Sequence, residues 1–163
     1  MPGTYNVLFL CTGNSSRSIM AEAILKQKGR PNFAAYSAGS HPVGTVNPYA
    51  LRQVESAGLP TAGLRSKSWD EFSVPRAPHM DFIFTLCDTA AAETCPVWPG
   101  QPMTAHWGLP DPGLEGNTPE QLERAFRNAF ITLDRRIGLF LALPLAKIEQ
   151  LALEQELRRI GRA

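Results

Sequence analysis

Apolar residues along this chain fall into short continuous runs, separated by polar stretches rich in glycine and proline. Tyr5 to Leu10 is mostly apolar and reads as a strand covered on both faces. The spacing then changes. Between Arg17 and about Gly29, Ile19, Ala23 and Ile24 set against Lys26-Gln27-Lys28 give a helical pattern that Gly29 stops. Phe33 to Ala38 is a second short strand, closed by Gly39. After a turn-rich stretch, Ser40 to Val46, Asn47-Pro48 caps and opens a second helix that runs to about Ala57 and ends at Gly58. This β-α-β-α alternation predicts an α/β fold, a parallel sheet with helices on both faces.

Downstream, Ser66 to Phe72 predicts one helical turn capped by Ser68, and Pro75 and Pro78 forbid a long element beyond it. Asp81 to Leu86 is a strongly apolar third strand that ends at Cys87. Asp88 to Gly100 reads as a loop or partial helix containing Cys95. Met103 to Trp107 is a fourth strand, and Gly108 to Gly113 a rigid loop. Thr118 with Pro119 starts a long helix to about Leu143. Pro144 breaks it, and Leu145 to Ile160 predicts a last helix. The expected organisation is one domain over residues 1–143, with residues 144–163 a helical extension packed on or beside it.

A chain of 163 residues with 44% hydrophobic and 19% charged content suits a single soluble domain with a full core. The net charge of +1 argues against a nucleic-acid or membrane partner, and no apolar run is long enough to span a bilayer. The distribution of charge says more. Residues 1–50 carry Arg17, Lys26, Lys28 and Arg30 against Glu22 alone, whereas residues 68–123 carry nine acids against Arg76 alone. A polar Met-Pro-Gly-Thr leading straight into a strand does not look like a signal peptide. Three cysteines, an odd number, argue against a structural disulfide framework and for a cytoplasmic protein whose thiols stay reduced.

The first strand ends in Cys11, and Thr12-Gly13-Asn14-Ser15-Ser16-Arg17-Ser18 follows before the helix is under way. A cysteine at a strand end with an arginine six positions on is the spacing of an oxyanion-binding nucleophile loop. Successive N–H groups at such a turn, from Thr12 to Ser16, make a nest for an anion, and the helix N-terminus adds its dipole. Arg17 offers a planar fork to two oxygens of a tetrahedral anion. That positive field is expected to favour the Cys11 thiolate as nucleophile, with Ser18 donating to the sulfur or the leaving group.

Cys87 also follows a strand. In a parallel sheet both cysteines emerge at the carboxyl edge, so Cys87 can reach Cys11 if the two strands are neighbours. Cys95 lies across the following loop, and Asp88 and Glu93 nearby are expected to disfavour resting thiolates there. Zinc binding through these cysteines with His79 or His106 has poor spacing, and no metal is expected. Asp111, stiffened between Pro110 and Pro112, is placed to protonate a leaving oxygen; Pro-Asp-Pro-Gly is equally ordinary turn chemistry.

With these residues in view, the chain resembles the low-molecular-weight protein tyrosine phosphatase superfamily, and within it the arsenate reductase branch. The resemblance rests on Cys11 to Ser18 followed by Met20-Ala21-Glu22, on Tyr36-Ser37-Ala38-Gly39 and on Asn47-Pro48. It continues through Thr85-Leu86-Cys87, Cys95-Pro96, His106-Trp107-Gly108 and Asp111-Pro112, covering about residues 5–143. It implies a four-stranded parallel sheet flanked by helices. It implies further that Cys11 attacks the arsenic of arsenate, that Arg17 and the loop amides hold the oxyanion, that Asn14 shapes the loop, that Ser18 assists the thiolate and that Asp111 is the general acid. Cys87 and Cys95 then form a disulfide relay with Cys11, reset by thioredoxin or by glutathione and glutaredoxin, with no bound cofactor, in a monomer or homodimer. Two other readings are carried forward. A tyrosine phosphatase would use the same loop and acid without the relay, and is disfavoured because Gly113-Leu114 rather than tyrosines follow the Asp-Pro. A non-catalytic, redox-sensing oxyanion module leaves Asp111 unexplained.

Overall fold

Val7, Leu8, Phe9 and Leu10 are each fully buried, and a strand with no exposed side has to run through the middle of its sheet. The computed structural model describes residues 4–87 and 102–163, and in it β1 (Tyr5–Cys11) is a central strand. It pairs in parallel with β2 (Phe33–Gly39) on one side and with β3 (Phe82–Thr85) on the other, and β4 (Met103–His106) pairs with β3. The sheet is four-stranded and all parallel, in the order β2-β1-β3-β4. The register sets Cys11 opposite Gly39 and Leu10 opposite Thr85.

Alternate residues of β1 point to opposite faces. Val7 and Phe9 join one large core with the apolar sides of α1 (Arg17–Lys28), α2 (Pro48–Ser56), α3 (Pro119–Leu141) and α4 (Gln150–Ile160). Leu8 and Leu10 face the other way, onto Ala38, Ile83, Phe72 and Met80. Phe72 is delivered by a single 3-10 turn, Trp69–Phe72, whose Ser68 cap accepts from the N–H of Asp70 as expected. Aromatic rings organise the larger core: Phe84 stacks on Trp107 with centroids 3.8 Å apart, and Phe140 meets Phe82 edge-on at 5.1 Å. Two of the helices begin where local chemistry dictates. Asn47 caps α2 by accepting from the N–H of Tyr49, and Thr118 and Gln121 close a reciprocal capping box on α3.

The last helix is shorter than the pattern predicts. It begins at Gln150 rather than Leu145, because the carbonyl of Pro144 is taken by the N–H groups of Lys147 and Ile148 in a turn before the chain straightens at Glu149. The expectation of a loop or partial helix between Asp88 and Gly100, with Cys95, lies outside the described residues. No helix among the described residues is long and apolar enough to cross a membrane.

What the fold does for a site follows from strand order. The chain leaves β1 toward β2, whereas β3 and β4 lie on the other side, so the segments leaving β1 and β3 diverge and open a crevice at the sheet's carboxyl edge. Cys11 closes β1 and Cys87 lies just beyond β3. The end of β4 is braced from below by α4: Trp107 Nε1 donates to the Leu157 carbonyl at 2.9 Å. Gly161 presses so closely on this corner that a Cβ there would lie 2.5 Å from the His106 oxygen. A Trp107→Phe variant keeps an aromatic ring but loses the donor and part of a ring system buried in the core. It is expected to lower unfolding free energy by at least about 1 kcal/mol in urea titrations, lost hydrogen bond and lost packing together, and an unchanged midpoint would show that this clasp adds nothing.

Candidate active site

The loop from Cys11 to Arg17 is shaped from outside. Thr12 O accepts from His41 N–H at 2.9 Å, Gly13 O from Val43 N–H at 3.0 Å and Ser66 Oγ at 3.2 Å, and Ser15 O from Asn47 N–H at 2.9 Å. In a trans peptide the C=O and the following N–H point in opposite directions. Tying those carbonyls outward therefore turns the N–H groups of Gly13, Asn14 and Ser16 inward, and the Gly13 N–H reaches the Cys11 sulfur. The turn-rich stretch after β2 is thus the outer mould of this nest. Asn14 makes the turn possible. It is fully buried with φ 46°, a left-handed conformation that asparagine tolerates better than most residues. Its Oδ1 accepts from the N–H of Lys67 at 2.8 Å, while Nδ2 donates to Ser18 Oγ at 2.7 Å and Ser37 Oγ at 3.0 Å. Beneath the loop, Gly39 leaves no room for a Cβ, which would strike the carbonyls of Thr12 and Cys11.

Arg17 opens α1, and its side chain leans across the crevice. Its Nη1 donates to the Leu109 carbonyl at 2.9 Å, its Nη2 stands 3.8 Å from Asp111 Oδ2, and its Nε is buried with no hydrogen-bond partner. A buried guanidinium N–H without an acceptor is an open donor beside the nest. Asp111 does both things its surroundings allow: Oδ1 accepts from the N–H of Gly113 at 2.9 Å and caps a short 3-10 turn, Pro112–Leu114, while Oδ2 faces Arg17. The strand-to-Asp111 segment is held by a residue that the sequence did not single out. Arg136 of α3 is buried and donates to the carbonyls of Trp107 at 2.9 Å and Gly108 at 3.1 Å. An open cleft of about 730 Å³ lies over this region. Thr12, Arg17, Cys87 and Asp111 line one part of it, and His106, Gly161 and Arg162 another.

Cys11 and Cys87 are buried and packed against each other, and Thr12 Oγ1 lies 3.3 Å from the Cys87 sulfur. This corrects one expectation. The positive field alone was expected to favour the Cys11 thiolate. Instead, its hydrogen bond with Cys87 and its burial push the Cys11 thiol well above the ordinary cysteine range, outweighing the downward pull of Arg17 and the Gly13 N–H. Two thiols in contact ionise as a pair, and a charge on one opposes a charge on the other. Ser18 departs in detail. Its hydrogen bond among the described residues is with Asn14, so in this state it braces the loop. Cys95, with Asp88 and Glu93, falls outside the described residues.

Comparison with known proteins agrees with this architecture. The family model described as low molecular weight phosphotyrosine protein phosphatase matches residues 6–155. An arsenate reductase of Halalkalibacterium halodurans is 35% identical over 134 residues, 82% of this chain and 93% of the relative. Among solved structures, an arsenate reductase in the phosphate-binding state is similar with a TM-score of 0.70 at 27% identity, covering 85% of this chain and 98% of that one. A thioredoxin-dependent arsenate reductase of Corynebacterium glutamicum shares the fold at a TM-score of 0.61 and 21% identity, covering 89% of this chain and 64% of that one.

Two outcomes follow from the geometry. Cys87→Ala removes both contributions of Cys87 that favour protonated Cys11. The ionisation midpoint of Cys11 is therefore expected to fall by about one unit or more, the worth of one ordinary hydrogen bond. The pH dependence of Cys11 alkylation by iodoacetamide, followed by peptide mass spectrometry, reads this directly; an unmoved midpoint would mean the contact is without effect. Gly39→Ala pushes the nest out of shape and is expected to weaken inorganic phosphate binding by about tenfold or more. Calorimetry on the folded variant measures it, and wild-type affinity would refute the close-approach argument.

Proposed function

The chain belongs to the low molecular weight phosphotyrosine protein phosphatase family, and from that premise we propose that it is a reductase of arsenate, working through a thiol relay. The observation that carries this reading is the contact of two buried thiols, Cys11 and Cys87, directly under an anion nest. Hydrolysis of a phosphate ester needs one nucleophilic sulfur; reduction of arsenate needs two electrons, and a pair of thiols supplies them.

The steps follow from the groups at hand. Arsenate is a tetrahedral anion shaped like phosphate. The inward N–H groups of Gly13, Asn14 and Ser16 and the open Nε of Arg17 fit its oxygens. Bound anion also brings acceptors to Arg17, and Cys87 is placed to hold the Cys11 proton or release it. Cys11 gives its proton to an oxygen of the bound arsenate and its sulfur bonds to arsenic; that oxygen, taking a second proton from Asp111, whose carboxyl faces the crevice beside Arg17, leaves as water. Cys87 then attacks the Cys11 sulfur. The sulfur–arsenic bond breaks and its electron pair stays on arsenic, which falls from the +5 to the +3 state and departs as arsenite. The two sulfurs, oxidised together, are left as a disulfide. In the remainder of the relay Cys95 attacks Cys87, and the new disulfide is reduced by thioredoxin, or through glutathione and glutaredoxin. These are reductants of a cytoplasmic, thiol-reducing compartment. No metal or bound cofactor enters any step.

A second reading has its own support. The cleft of about 730 Å³ is far larger than one tetrahedral anion and has Leu109, Pro110 and Leu114 on its lining. Weak hydrolysis of phosphomonoesters through a Cys11 phosphocysteine is therefore expected alongside reduction, since loop and acid serve both. The test is arsenate-dependent NADPH oxidation with thioredoxin and its reductase, run in parallel with glutathione, glutaredoxin and glutathione reductase. Turnover in either mixture is the expected result. Cys87→Ser should abolish it while sparing aryl phosphate hydrolysis. Silence in both mixtures, with brisk aryl phosphate hydrolysis by wild type, would establish a phosphatase instead.

A further inference from the structure

Behind the nest lies a charged cluster that no catalytic step uses. Glu22 of α1 and Lys67 are both buried, with side chains 4% and 6% exposed and Lys67 Nζ 3.7 Å from Glu22 Oε1. Ser37, fully buried at the end of β2, donates its only hydroxyl hydrogen to Glu22 Oε1 at 2.5 Å. Its oxygen therefore accepts, from Asn14 Nδ2 at 3.0 Å and from Lys67 Nζ at 3.4 Å. Lys67 Nζ also donates to the Arg65 carbonyl at 2.8 Å. Lys26, half-exposed, is the other cation on Glu22, at 2.9 Å.

The direction of every hydrogen bond in this chain is forced. Glu22 lies against the Lys67 and Lys26 ammonium groups, and a carboxylate so paired can only accept. Ser37 must then donate to it, and so can only accept from Asn14. The Asn14 amide nitrogen must face Ser37 and Ser18, and its oxygen must face the N–H of Lys67, which is what the structure has. Ser18 consequently accepts from Asn14 and keeps its own proton to donate. The order Lys67–Glu22–Ser37–Asn14–Ser18 thus carries a fixed polarity from a buried cation to the residue beside Arg17. Removing the ammonium would leave a buried carboxylate with only a half-exposed cation, a costly arrangement that relaxes by protonation or movement. With Glu22 no longer held as the acceptor, Ser37 could turn its hydrogen, and its grip on the Asn14 amide nitrogen would be lost, leaving Asn14 anchored only through the Lys67 N–H and Ser18.

We propose that Lys67 is a positioning residue for the oxyanion loop: its ammonium fixes the donor–acceptor polarity of the Glu22–Ser37–Asn14–Ser18 chain and so holds the left-handed turn at Asn14 that aims the loop N–H groups at an anion. The proposal rests only on the anion-binding part of the functional reading and stands or falls apart from the reductase chemistry.

The probe is sulfate, whose charge is constant across the working pH range, with binding measured calorimetrically on wild type, K67M, E22Q and E22Q/K67M, each checked for a cooperative thermal transition. K67M is expected to bind sulfate at least tenfold more weakly than wild type. Glutamine at 22 can still accept from Ser37 and needs no counter-ion, so adding K67M to E22Q should change the affinity less than threefold. A purely space-filling lysine would give the same loss in both backgrounds. K67M binding within twofold of wild type would overturn the proposal, and so would a tenfold loss on adding K67M to E22Q. Should K67M alone not fold, the comparison of E22Q with E22Q/K67M decides by the same threshold.

Discussion

The site depends on one buried side chain making three hydrogen bonds. Asn14 has a backbone conformation that few side chains accept, in the middle of a loop that must present donors rather than acceptors to the crevice. Its carboxamide spans α1, β2 and the segment at Lys67 at once. The loop is therefore not a flexible strap over a pocket but a piece of main chain fixed between three parts of the fold. Preorganised dipoles of this sort bind an anion without the cost of orienting them afterwards.

The sheet order supplies the other half. Because β1 and β3 are neighbours at the point where the winding reverses, the residues that leave them meet over a crevice, and two sulfurs far apart in sequence come into contact. The contact would have opposite effects in the resting protein and in the proposed reaction. At rest, Cys87 and burial favour the thiol form of Cys11, the form less open to oxidation. In the proposed reaction the same proximity lets the second sulfur attack without any large rearrangement of the sheet. Arginines on either side divide the labour: Arg17 faces the nest, whereas Arg136 fixes the main chain that carries Asp111.

Local patterns made most of this fold legible. The apolar run at Val7–Leu10, the Asn47-Pro48 and Thr118-Pro119 caps and the single turn after Ser68 each announce themselves within a few residues. Cys11, Arg17 and Asp111 were readable because spacing and stiffness are local properties. The rest depends on contacts over long sequence separations. Nothing near Arg136 or Lys67 in the chain distinguishes them from surface cations; burial alone does. The upward shift of the Cys11 thiol is not legible locally for the same reason, since the deciding neighbour is Cys87 and its hydrogen bond to Cys11 is a tertiary fact. Pro144 was correctly read as a break, but the turn it makes with Lys147 and Ile148 delays α4 by a few residues.

The C-terminal corner has a practical meaning. Gly161 is wedged against the His106 carbonyl, Arg162 borders the cleft, and the Ala163 carbonyl is held by Arg135 at 3.2 Å. A fluorophore on a cysteine introduced at Arg162 would therefore sit at the rim of the cleft. That position is thus a natural attachment point for a probe meant to sense traffic at the cleft, and a poor one for a handle meant to be inert.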